Sequence, residues 1–178
     1  MEEIAEILLS SETIAARVRE LGAEITQDYE GKELMVIGIL KGALPFMADL
    51  IRKIEVPLKY DLVAVSSYGA STKTSGAVQI LKDIDMGLEG EHVLVVEDIV
   101  DTGLTLNYLL GAFKARQPAS LKVCTLLDKP SRREVAVDIK YNGFAIPDRF
   151  VVGYGLDYAE RFRHLPMIAV LKPEVYSE

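Results

Sequence analysis

Two short runs, Leu34-Met35-Val36-Ile37-Gly38-Ile39-Leu40 and Val93-Leu94-Val95-Val96, are non-polar throughout rather than at alternate positions. A strand with two apolar faces must be covered on both sides, as it is inside a parallel sheet packed between helices. Each run is followed by a polar turn and then by apolar residues at helical spacing. Lys41-Gly42 leads into a helix over about Leu44 to Ile54, and the turn after Val96 leads into one over about Leu104 to Ala115. Another apolar strand, Leu121 to Leu127, continues the alternation. This order predicts an α/β fold, a mostly parallel twisted sheet flanked by helices.

The remaining pattern is consistent with that frame. Ile14, Val18, Leu21 and Ile25 predict an amphipathic helix capped by Ser11, with Gly31 following where the spacing stops. Phe46, Met47 and Leu50 share one helix face, suited to the core or a subunit interface. Leu58 to Ser66 and Ala77 to Ile84 read as two strands joined by a segment, Tyr68 to Gly76, of small, flexible and hydroxylic residues that is expected to move. No linker, composition shift or repeat divides the chain, and its 178 residues, 49% hydrophobic, suffice for one core, so a single domain over residues 1–178 is expected.

Charge narrows the function classes. The formal net charge is −7, and no Lys/Arg-rich run offers nucleic acid an electrostatic footprint. Glu2 and Glu3 stand where a secretory signal would be positive, and no apolar run approaches the ~20 residues that span a bilayer. A cytoplasmic protein without nucleic-acid or membrane partners is expected. Cys124, His92 and His164 are the whole complement of Cys and His, too few for a Cys/His metal framework. Any metal must be held by oxygen.

In open α/β sheets ligands bind beyond the carboxyl ends of the strands, so Lys41, the segment Glu97 to Thr105, and Asp128-Lys129 should converge on one crevice. The segment Val95-Val96-Glu97-Asp98-Ile99-Val100-Asp101-Thr102-Gly103-Leu104-Thr105 is the most informative. Gly103 permits close backbone approach, Thr102 and Thr105 offer hydroxyls, and the helix start offers unpaired N–H groups and the positive end of its dipole. That is a phosphate cradle. Glu97 and Asp98 would repel phosphate but suit sugar hydroxyls or Mg²⁺. A ribose 5-phosphate is the simplest ligand that satisfies both halves.

These residues resemble the phosphoribosyl-diphosphate signature of type I phosphoribosyltransferases. The rest of the chain is similar to the hypoxanthine-guanine phosphoribosyltransferases. Matching anchors occur in order at Leu40-Lys41-Gly42, Ser67-Tyr68, Asp128-Lys129-Pro130 and Phe150-Val151-Val152-Gly153-Tyr154-Gly155-Leu156-Asp157-Tyr158. Where some members carry Lys, this chain has Leu104, leaving the helix N-terminus to hold the phosphate. The resemblance implies the family's fold, with a small hood from the terminal segments. It also implies transfer of a 5-phosphoribosyl group from phosphoribosyl diphosphate to N9 of hypoxanthine or guanine, with Mg²⁺, in a homodimer or homotetramer.

Roles follow from the same resemblance. Asp101 would take the proton from purine N7. Glu97, Asp98, Asp101, Thr102, Gly103, Leu104 and Thr105 would bind the phosphoribosyl group. Lys41, Gly42, Ser67, Tyr68 and Arg163 would contact the diphosphate. Ile99 and Phe150 would sandwich the purine, Lys129 would donate to its O6, and the backbone of Val151 and Asp157 would read its far edge. Glu97, Asp98 and Asp157 would serve the metal. Two other readings compete with this one: a nucleotide-sensing RNA regulator of the same fold, disfavoured by the −7 charge, and a variant acting on xanthine or adenine. Gly153-Tyr154-Gly155 is no dinucleotide fingerprint, because Tyr158 occupies the position of the third glycine.

Overall fold

The computed structural model describes residues 2–67 and 78–177. The elements are β1 (Ile4–Leu9), α1 (Ser11–Asp28), β2 (Leu34–Leu40), α2 (Leu44–Ile51), β3 (Leu58–Ser67), β4 (Val78–Lys82), β5 (His92–Val100), α3 (Leu104–Lys114), β6 (Ser120–Asp128), a 3₁₀ turn (Pro130–Arg132), β7 (Tyr141–Ala145), β8 (Val151–Val152), β9 (Ile168–Leu171) and α4 (Pro173–Tyr176). Among the described residues the main sheet has six strands in the order β4-β3-β2-β5-β6-β7, and three more form a small sheet, β1-β9-β8. The pairs β3–β2, β2–β5, β5–β6 and β6–β7 are parallel and only β4 runs against its neighbour. The mostly parallel sheet is as expected.

The two apolar runs are apolar on both faces because both faces are covered. Leu34 and Val36 of β2 and Leu94 and Val96 of β5 join Ile14, Leu21 and Phe46 from α1 and α2 in one core cluster. The alternate residues Met35, Ile37, Val93 and Val95 join Leu106, Leu109 and Phe113 of α3 in a second cluster on the opposite face. The parallel register then brings the ends of β2, β5 and β6 to one edge, with Gly38 opposite Val96 and Val100 opposite Asp128. The small antiparallel sheet is the hood, built from the first strand and the last two. Val151, Ile168 and Val170 from it are buried in the same cluster as Leu94 and Phe46, so hood and main sheet share a core.

Several boundaries differ from the sequence expectation. The cap of α1 is Ser10, not Ser11: Ser10 is extended, and its hydroxyl accepts a hydrogen bond from the Thr13 N–H at 3.2 Å. Helix α2 stops at Ile51, three residues early, while Ile54 remains buried beyond it. Strand β5 does not stop at Val96 but runs on to Val100, so the acidic pair lies within a strand. The segment Tyr68 to Gly76 lies outside the described residues.

Phe46 is fully buried where α2 meets β2, directly after the Lys41-Gly42 turn. Phe46→Ala is expected to cost about 3–5 kcal/mol of stability, read as a lower midpoint in chemical denaturation. A loss below about 1 kcal/mol would mean that this face of the sheet packs otherwise.

Candidate active site

The turn after β2 is pressed against β5. The Leu40–Lys41 peptide bond is cis, and a Cβ on Gly42 would overlap the Asp98 carboxylate. The hood closes on the same point: Gly155, at φ +101°, sits so near the Gly42 carbonyl that a side chain there would overlap it. Arg163 secures this contact, donating from Nη1 to the Gly155 carbonyl at 2.7 Å, while the Gly155 N–H donates to the Arg163 carbonyl at 2.9 Å. Three distant parts of the chain thus meet at Gly42.

Lys41 and Arg163 share an anionic partner. Glu160 accepts from Lys41 Nζ at 2.9 Å through Oε2 and lies 3.2 Å from Arg163 Nη2 through Oε1. Arg163 also pairs with Asp157 at 3.0 Å, and the other Asp157 oxygen accepts the Glu160 N–H at 2.8 Å. The buried Arg163 Nε has no hydrogen-bond partner among the described residues. These two cations are placed to meet an anion, and Glu160 stands in that position here.

On β5, Glu97 is buried and Asp98 partly so, and each turns back on the strand: Glu97 Oε1 accepts the Asp98 N–H at 3.0 Å and Asp98 Oδ1 accepts the Ile99 N–H at 2.7 Å. Burial pushes the Glu97 carboxyl well above the usual carboxylate range, and the Asp98 charge adds to it. Burial also raises Asp98, against the hydrogen bonds it accepts and the nearby Arg163 charge. Two neighbouring carboxylates in a dry setting without a cation between them favour a proton or a metal.

Beyond Val100 the chain enters α3 through Gly103, at φ +84°, where a Cβ would lie 2.7 Å from the Val135 carbonyl. That contact with a neighbouring loop is a packing reason for glycine that the sequence did not disclose. The loop is pinned, since the Glu134 and Val135 N–H groups both donate to the Thr102 carbonyl. Thr102 Oγ1 accepts the Leu104 N–H at 3.3 Å. The N–H groups of Thr105 and Leu106 belong to the first helical turn, which no intrahelical carbonyl satisfies.

A cavity of about 210 Å³ opens here, lined by Glu97, Ile99, Asp101, Thr102, Gly103 and Thr105 among others. A second, of about 290 Å³, is lined by Lys129, Arg132, Asp148, Phe150, Val151 and Leu156, and Ile99 and Asp101 belong to both walls. The expected cradle and the expected purine residues therefore adjoin. Leu156 rather than Asp157 lines the second cavity, and Asp98 and Asp157 line neither, facing the Lys41–Arg163 side instead. Leu104 is half-exposed at the helix start, Ser67 ends β3, and Tyr68 lies outside the described residues. A larger cavity, about 800 Å³, lies elsewhere between α1 and the turn after α2, and no predicted site residue lines it.

Sequence reasoning missed three charged members. Arg132 donates from Nε to Asp101 Oδ1 at 3.0 Å and lies 3.6 Å from Asp148, which is 3.5 Å from the buried Lys129 Nζ. Glu160 is the third. The available signal was position alone: Arg132 follows Lys129-Pro130, Asp148 precedes Phe150, and Glu160 lies between Asp157 and Arg163.

Known proteins resemble this chain over nearly its whole length. The family model of the phosphoribosyl transferase domain matches residues 5–159, and the chain belongs to that family. Within it, the chain is 55% identical over 175 residues to the hypoxanthine-guanine phosphoribosyltransferase of Bacillus subtilis, covering 98% of this chain and 97% of that protein. The crystal structure of a hypoxanthine phosphoribosyltransferase from Staphylococcus aureus superposes with a TM-score of 0.95 at 49% identity, covering 99% and 96% of the two chains. The chain is also 52% identical over 176 residues to the bifunctional protein TilS/HprT of Listeria innocua; the match takes in 99% of this chain but spans only 27% of that longer protein.

A carboxyl whose folded-state pKa exceeds its unfolded value stabilises the fold while protonated, and that contribution is lost as pH rises through the folded value. Glu97→Gln stays neutral. In metal-free buffer its melting temperature is expected to gain on that of the parent as pH rises above 4.5, the ordinary value for this group. A gap unchanged between pH 5 and pH 8 would mean that Glu97 is not desolvated.

Proposed function

We propose that residues 1–178 act as one phosphoribosyltransferase domain that transfers the 5-phosphoribosyl group of phosphoribosyl diphosphate to N9 of hypoxanthine or guanine. The products are IMP or GMP and diphosphate. The observation that carries this reading is the pair of adjoining cavities with Ile99 and Asp101 in their common wall, one at the N-terminus of α3 and one beside Lys129 and Phe150. A nucleotide has this bipartite shape, an anion at one end and a flat base at the other.

The chemistry assigns each residue a task. The free N–H groups of the α3 first turn, with the Thr102 and Thr105 hydroxyls, hold the 5′-phosphate. Glu97 and Asp98 accept from the ribose hydroxyls. Lys41 and Arg163, with the Gly42 amide, hold the diphosphate, which displaces Glu160 from between the two cations. Ser67 and Tyr68 complete that contact. As the C1–oxygen bond breaks, positive charge develops on the ribose and negative charge on the leaving group, so these cations stabilise the departing oxygens. N9 attacks C1, and Asp101 accepts the N7 proton.

Recognition of the base rests on one donor and two apolar walls. Lys129 is buried beside the purine cavity. Its ammonium donates to O6 of hypoxanthine or guanine and meets a mismatched amino donor on adenine. Ile99 and Phe150 sandwich the ring, and the backbone of Val151 and Asp157 reads the far edge.

Mg²⁺ belongs to the same proposal. Among the described residues no cluster of three or more Asp, Glu, His or Cys side chains forms a metal cage. Glu97 and Asp98 fit an ion that keeps most of its water and takes its other ligands from substrate oxygens, and Asp157, already committed to Arg163, fits contact through water. When bound, Mg²⁺ supplies positive charge to the diphosphate. None of the described helices is long and apolar enough to cross a membrane. A homodimer or homotetramer is included in the proposal, with half-exposed Leu44 on α2 as a candidate contact.

The test is an assay of hypoxanthine, guanine, xanthine and adenine with phosphoribosyl diphosphate, with and without Mg²⁺. Turnover of hypoxanthine and guanine only with the metal is expected; adenine turnover alone, or none with any base, would overturn the reading. Asp101→Asn is expected to lower kcat by about 10²–10⁴-fold, because the amide cannot accept the proton. Lys129→Ala should raise adenine use relative to hypoxanthine, and unaltered discrimination would remove its assigned role.

A further inference from the structure

Asp101 is held at both ends by consecutive arginines. Arg133 donates from Nε to the Asp101 carbonyl at 3.1 Å and pairs through Nη2 with Asp128, which fixes the main chain. Arg132 donates from Nε to the Asp101 carboxylate at Oδ1, at 3.0 Å. The other oxygen, Oδ2, makes no hydrogen bond with any described residue. Arg132 is itself anchored, since its N–H donates to the Lys129 carbonyl at 3.0 Å in the 3₁₀ turn and its Nη1 lies 3.6 Å from Asp148.

These contacts form a chain across the purine cavity: Asp101 to Arg132, Arg132 to Asp148, and Asp148 to Lys129 Nζ at 3.5 Å. The two ends of that chain are the groups assigned to N7 and O6 of the base. We infer that Arg132 is a positioning residue for base transfer. It occupies one oxygen of Asp101 so that the other meets the purine N7–H. The proton moves from N7 to Asp101 Oδ2 as N9 bonds to C1; Arg132 keeps its own protons throughout. A carboxylate free to rotate would meet N7 in the required geometry only part of the time, and misplacement of that kind lowers the rate of the chemical step more than binding.

This inference rests on the proposed role of Asp101, and the experiment separates the two. The variants are Arg132→Met, Asp101→Asn and the double variant, assayed in steady state with hypoxanthine and saturating phosphoribosyl diphosphate. About half of the Arg132 side chain is exposed, so Met at this position should leave the melting temperature near that of the parent. Arg132→Met is expected to lose roughly tenfold in kcat with KM for hypoxanthine near the parent value. In the Asp101→Asn background the same substitution should cost nothing further, because no proton acceptor remains to be held. An unchanged kcat in Arg132→Met, or an equal loss in both backgrounds, would overturn the positioning role while leaving Asp101 as base. Full activity in Asp101→Asn would overturn the role of Asp101 and this inference with it.

Discussion

The site depends on a stack in which no side chain intervenes. Gly155 lies on the carbonyl of Gly42, and Gly42 lies on the carboxylate of Asp98. These residues come from the hood, the turn after β2 and the middle of the acidic stretch of β5, and they can meet only because two of the three have no Cβ. A methyl group at either glycine would drive these segments apart, separating Lys41 and Arg163 from the acids they must act beside. Arg163 reinforces the stack by hydrogen bonds to Gly155 in both directions.

Close packing at that point sets the electrostatics of the site. Asp98 is desolvated by the turn that covers it, and Glu97 by the sheet that holds it, so both carboxyls resist ionisation. The cations are arranged with Glu160 between Lys41 and Arg163 and Asp148 beside Lys129. The Lys41–Glu160 pair is well exposed, and pairs of that kind contribute little to stability, typically about 0–1 kcal/mol, so in the proposed function an incoming anion would displace Glu160 from Lys41 at small cost. The site is therefore rigid in its backbone and exchangeable in its charges, which suits binding a highly charged substrate and releasing diphosphate.

Those parts of the fold that bury apolar strands on both faces were legible. β2, β5 and β6 are read directly from Leu34–Leu40, Val93–Val96 and Leu121–Leu127 because short apolar runs rich in β-branched residues and bounded by turns suit a strand covered on both faces. The hood was expected only through resemblance and its strands were not read, and their pattern explains why. β1 carries exposed residues at three successive positions and two register irregularities against β9, and β8 is two residues long, so neither shows a period. The cap moved from Ser11 to Ser10 because two adjacent serines satisfy the same preference and only backbone geometry chooses between them.

The same division holds in the site. Residues at strand ends, Lys41, Asp101 and Lys129, followed from topology, whereas Arg132 reaches Asp101 across 31 positions and Glu160 reaches Lys41 across 119, distances over which no local pattern operates. Those pairings arise from turns whose course depends on tertiary packing, such as the one in which Val135 closes over Gly103. In the proposed function the end of β5 joins a phosphate cradle to a base pocket. The most direct measurement is a crystal structure with GMP bound. The phosphate is expected at the N–H groups of Thr105 and Leu106 and the guanine between Ile99 and Phe150 with O6 on Lys129; a nucleotide seated between α1 and the turn after α2, or with its base at the helix terminus, would overturn the proposed function.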